Sequence, residues 1–181
     1  PAKTEQNSIR LGLSHLAELR QSDLGQLRPA LERVVKSLIG AARFSVYLHH
    51  GERLMRVPEF SSVCAETTDN GKQGYRNAGS LVPRAVLRKH RSLSILCKGD
   101  LPLLEGLGVF AYPLTKSENR TVIGLLVFET VDVDRLSAET EAAIRAIAVE
   151  LSYALAANQY EVPEISSLMQ PASGTEICRH P

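Results

Sequence analysis

The sequence lacks the features that would place it in a specialised class. It has only three cysteines, Cys64, Cys97 and Cys178, widely spaced and without a CxxC pair. That excludes a disulfide framework or a zinc knuckle and fits reduced thiols in a cytoplasmic protein. Charge of one sign is not in excess: 21 Lys and Arg against 20 Asp and Glu leave a formal net charge of +1. No general affinity for nucleic acid or for an acidic membrane follows from that balance. No apolar run reaches the roughly 18 residues that a spanning helix needs. The N-terminal PAKTEQNSIR also lacks the apolar core of a signal peptide. The histidines, His15, His49, His50, His90 and His180, form no HxxxH or HExxH spacing, so no metal or haem site is indicated. Internal repeats and low-complexity blocks are missing too. The first residue is not Met, as expected of an excerpt from a longer protein, and that parent can still be membrane-anchored.

What is present is ordinary globular composition. With 181 residues, 44% of them hydrophobic and 23% charged, the chain can build one core with flanking segments. Ile9, Leu13, Leu16, Leu24, Leu27, Leu31, Val34 and Leu38 recur at helical spacing. Ser22-Asp23 is an N-cap signal and Pro29 disfavours helical geometry just before it. The spacing therefore predicts two helices, or one kinked between Gln21 and Pro29. From Ala42 the period changes, and two β-rich runs, near 44–49 and 52–57, flank a His49-His50-Gly51 turn. The segment from Phe60 to Ser80, dense in Gly, Asn, Asp, Ser and Thr, reads as a long loop of the kind that often serves function. Pro83 opens a short helix to Arg91. Arg84, Arg88 and Arg91 lie on one side of it, opposite Val82 and Val86, and read as a solvated basic face rather than an anion site. SLSILCK, GVFAYPL and TVIGLLVFET supply three more strands, the last two joined across Thr115 to Thr121. Leu136 to Asn158 is the clearest helix, with Ser137 as N-cap and Glu139 and Glu141 in its first turn. Its buried stripe is Ile144, Ile147, Ala148, Leu151 and Leu155, and Ala143, Ala154 and Ala157 leave one side slim enough for another helix.

This order of elements, with AYPL at Ala111 to Leu114, VIGLLVF at Val122 to Phe128 and the acidic-headed final helix LSAETEAAIRAIAVELSYAL, resembles a GAF domain over about Asp23 to Gln159. The resemblance implies an α+β, GAF/PAS-like fold: a central antiparallel sheet of five or six strands, with N- and C-terminal helices on one face. Short helices and loops enclose a pocket on the other. It divides the chain into an N-terminal dimerisation or signalling helix (1–22), the GAF domain (23–160) and a linker or tail (161–181). A strand covered on both faces loses polar alternation, which accounts for the apolar run, and Gly124 within it is expected at a close backbone approach or a bulge.

The function implied by the resemblance is regulatory rather than enzymatic: a sensory module of a signalling protein that binds a small molecule and transmits through its terminal helices in a homodimer. One alternative is a ligand-free GAF scaffold for dimerisation or protein interaction. Another is an enzyme like the free methionine sulfoxide reductases, for which Cys64 and Cys97 would have to meet as reactive thiols. The Asn-Lys-Phe-Asp-Glu set of cyclic-nucleotide-binding relatives and the Asp-Ile-Pro element of bilin-binding ones are missing, and the sequence names no cofactor. RQSD at Arg20 to Asp23 matches the RxxD pattern of degenerate GGDEF domains but has no GGDEF context. A pocket is expected to be lined from Phe60 to Ser80 and Val82 to Leu104, with Tyr75, Arg76, Cys97 and Tyr112 as candidate ligand-binding residues. The expected partner is a second copy through the N- and C-terminal helices, because an exposed stripe from Ile9 to Leu16 needs a cover. No nucleic-acid or direct membrane contact is expected, and the expected location is cytoplasmic.

Overall fold

The computed structural model describes residues 2–50, 53–62, 92–116, 121–130 and 138–160. Helices α1 (Ala2–Gln21) and α2 (Leu24–Leu38) are separated at Ser22-Asp23, where the cap signal lies. The Asp23 carboxylate accepts the Gln26 N–H at 3.0 Å, and the Ser22 hydroxyl donates to the Glu18 carbonyl at 2.7 Å. Pro29 does not break α2. The hydrogen bond it forgoes would have gone to the carbonyl of Gly25, an exposed residue in the first turn that water can reach. The two helices run back along each other, with His15 Nδ1 2.7 Å from Ser37 Oγ and Arg33 paired with Glu18. Gly12 allows the approach, since a Cβ there would stand 2.4 Å from Leu38 Cδ2.

The sheet has five strands among the described residues: β1 (Arg43–His50), β2 (Arg53–Val57), β3 (Leu93–Ser94), β4 (Phe110–Thr115) and β5 (Val122–Thr130). Their order is β2-β1-β5-β4-β3, with every neighbouring pair antiparallel. The apolar VIGLLVF run is thus the middle strand, and its side chains feed two cores. Leu126 and Phe128 point to the helices, while Leu125 and Val127 point to the opposite face. Pairing moves from Leu114 with Gly124 to Thr115 with Val122, so Ile123 is a bulged residue. At Gly124 a Cβ would lie 2.1 Å from the Tyr47 carbonyl oxygen. Both expectations for this segment, close approach and bulge, are met at neighbouring residues. The β4-β5 turn closes with Lys116 N donating to Thr121 O at 2.8 Å.

SLSILCK is a strand only at its start. After Ser94 the chain turns, because Ser94 O accepts the Cys97 N–H at 2.9 Å and the buried Asp100 carboxylate accepts the Ser94 N–H at 3.2 Å. A 3₁₀ turn (Lys98–Asp100) and the short α3 (Leu101–Leu104) follow on the second face. Phe60 likewise departs from the loop expected of it. It ends a 3₁₀ turn (Pro58–Phe60), is fully buried in the helix-side core and meets Tyr160 edge-on at 4.8 Å.

Helix α4 (Ala138–Ala157) and α2 line the helix-side core, which α1 joins through Leu19 and Leu16. Leu11 and Leu13 remain exposed. The Ser137 cap, the Pro83 helix, most of the Phe60 to Ser80 loop and the tail lie outside the described residues.

Candidate functional site

The strand period of two sends alternate residues to the face opposite the helices. From β1, β2, β4 and β5 these are Tyr47, Leu54, Ala111, Leu125 and Val127, joined by Leu93 and by Leu104 and Leu107 after the turn. Together they make an apolar floor. At one end of it lies a polar network. The hydroxyl of Ser45, fully buried, accepts from Arg56 Nε at 2.8 Å and donates to Glu129 Oε1 at 2.5 Å. Arg43 Nη2 stands 3.5 Å from Glu129 Oε2, and Arg56 Nη2 donates to the Ser62 carbonyl. The Glu129 carboxylate is thus met by the Ser45 hydroxyl and by Arg43, and with Arg56 held on Ser45 the network carries one positive charge in excess. Beside it, Ser61 and Ser62 stand in for strand pairing, accepting the Val46 and Phe44 N–H groups at 3.0 Å each.

Among the described residues two open clefts border this architecture. One, of about 450 Å³, is lined by Ile95, Leu101, Pro102, Leu104, Glu105 and Gly108, next to the floor. The other, of about 530 Å³, lies at the start of α2 between Arg28, Pro29, Glu59, Phe60 and Tyr160. Both fall in the size range of small-molecule sites. The side chains lining the first are apolar except for that of Glu105. Among the described residues no group of three His, Cys, Asp or Glu side chains is placed to hold a metal ion. None of their helices is long and apolar enough to cross a membrane.

No protein-family model matches the chain, and no curated protein is similar to it at a significant level. Among solved structures, the crystal structure of a Burkholderia vietnamiensis protein described as a GAF sensor aligns with a TM-score of 0.58. The match covers 86% of this chain and 98% of that one at 13% identity. The chain has a GAF-like fold. In this GAF-like domain two of the four candidate ligand residues, Cys97 and Tyr112, lie among the described residues. Cys97 is exposed on the turn after β3. Tyr112 is half-buried on β4 and packs against the helix-side core, the face away from the floor. Tyr75 and Arg76 lie outside the described residues. Sequence reasoning missed the Ser45–Arg56–Glu129 network. Its signal was available: Ser45 is the one polar residue within the FSVYL run, and Glu129 is the acid that ends VIGLLVF.

Proposed function

We propose that this GAF-like domain is a regulatory, sensory module that binds a small molecule against the second face of its sheet and signals through its terminal helices as a homodimer. The carrying observation is β5. Its consecutive residues Leu125 and Leu126, then Val127 and Phe128, belong alternately to the floor and to the helix-side core. In close-packed interiors a shift on one face of such a strand is felt on the other. A ligand acts on this device only by binding two arrangements of the helices unequally. The reading places regulation rather than catalysis in the domain and puts it in the cytoplasm.

Thermal unfolding of the chain against cyclic nucleotides, amino acids, tetrapyrroles and common metabolites tests the reading. At a free concentration a hundredfold above its Kd, a ligand of the native state adds about 2.7 kcal/mol and raises the midpoint. No rise with any compound would favour a second reading, a ligand-free scaffold for dimerisation or protein interaction. One observation supports that reading: Tyr47, Leu54, Leu93, Ala111, Leu125 and Val127 are already buried by the chain itself.

A further inference from the structure

The cleft at the start of α2 lies on the helix side of the sheet and combines charge of both signs with an aromatic wall. Arg28 is half-buried there. Arg56, also half-buried, is bonded to Ser45 and Ser62, whereas Arg28 has neither an ion pair nor a side-chain hydrogen bond among the described residues. A partly desolvated guanidinium is a strong donor, and its planar fork fits a carboxylate. Pro29 leaves an acceptor close by. It has no N–H to offer the Gly25 carbonyl, and both residues line the cleft. The exposed Glu59 adds a carboxylate from the 3₁₀ turn after β2. The rest of the lining is apolar or aromatic: Leu24, Phe60 and Tyr160.

We propose that this cleft is a second small-molecule site, separate from the second face of the sheet, and that it takes a zwitterion with an apolar body: an α-amino acid with an aliphatic or aromatic side chain. Arg28 takes the carboxylate, Glu59 and the Gly25 carbonyl take the ammonium, and the side chain lies against Leu24 and Tyr160. A simple anion would face Glu59 and a simple cation would face Arg28, so the pair of charges selects against both. The position matters for regulation. Asn158 Nδ2 donates to the Ser22 carbonyl at 3.0 Å and Tyr160 N–H to the Leu155 carbonyl at 3.3 Å, which ties the end of α4 to the start of α2. A molecule in the cleft bridges these two helix ends directly and favours the arrangement that closes on it.

The test is calorimetric titration of the full chain with L-phenylalanine and L-leucine as probes. Hydrocinnamate, which lacks the ammonium, and phenethylamine, which lacks the carboxylate, each bind at least about tenfold more weakly than L-phenylalanine, because each forgoes a charge-assisted contact. Arg28→Gln weakens L-phenylalanine by at least about tenfold as well. The thermal midpoint of the free variant stays at the parent value, which separates lost binding from lost folding. Glu105→Gln, in the other cleft, leaves the affinity unaltered. Binding of neither probe overturns the site, as does equal affinity for hydrocinnamate or full affinity in Arg28→Gln. Affinity lost in Glu105→Gln and kept in Arg28→Gln would seat the amino acid on the second face; that result retains the sensory reading above and overturns this site alone.

Discussion

At Gly124 the main chains of β1 and β5 approach so closely that a side chain has nowhere to go. An added Cβ would meet the Tyr47 carbonyl oxygen at 2.1 Å and the Leu48 Cα at 3.2 Å. Both are backbone atoms, so no rotamer change relieves the clash, and the central pair of the sheet must part. Gly124→Ala is expected to destabilise the fold by about 3 kcal/mol, at the upper end of overpacking costs. The measurement is the urea midpoint at unchanged slope. Gly99, in the turn before α3, is the control: a Cβ there meets nothing within 4 Å. Gly99→Ala should stay within about 0.5 kcal/mol of the parent, as surface changes do. Equal losses at the two positions would remove close approach as the reason for the glycine in β5.

Among the elements, α1 shows how a helix can divide between two environments. Leu19 is fully buried beside α2 and α4, whereas Leu11 is 53% exposed. Leu19→Ala should cost about 3 kcal/mol through lost transfer energy and a cavity, while Leu11→Ala should change stability by less than about 0.5 kcal/mol. Chemical denaturation of both variants checks the pair. If both are neutral, α1 is an appendage and not part of the core. The element order and the two-faced burial of β5 were legible because hydrophobic period reports them locally. The break between α1 and α2 was legible because the Asp23 cap is a local interaction. The early end of β3 was not, because the Asp100 carboxylate that takes the Ser94 N–H comes six residues later and has no period. The candidate site was less legible still. The bonds of Ser45 reach 11 residues to Arg56 and 84 to Glu129, and no local pattern encodes such pairings. Tyr112 is assigned to a face by strand register, and AYPL alone does not reveal which face that is.

For the whole molecule, the homodimer reading makes the outer side of α4 the place where stability connects to concentration. In a single copy Val149 and Tyr153 face water, while the same helix supplies Ile144, Ile147 and Leu151 to the core beneath. Covering the outer stripe with a second copy therefore stabilises the element that closes the helix-side core over β4 and β5. Association acts by mass action: each tenfold rise in concentration adds about 1.4 kcal/mol per mole of dimer unfolded. The thermal midpoint of the parent chain is expected to climb steadily with protein concentration above the dimer Kd. Val149→Glu places a carboxylate in the middle of that outer stripe, where cover by a second copy would bury it. Its midpoint should be flat over the same range and equal to the parent's low-concentration limit, since an exposed position costs the monomer little. A flat curve for the parent, or an unchanged slope in Val149→Glu, would mean that the outer stripe of α4 is not what the second copy covers.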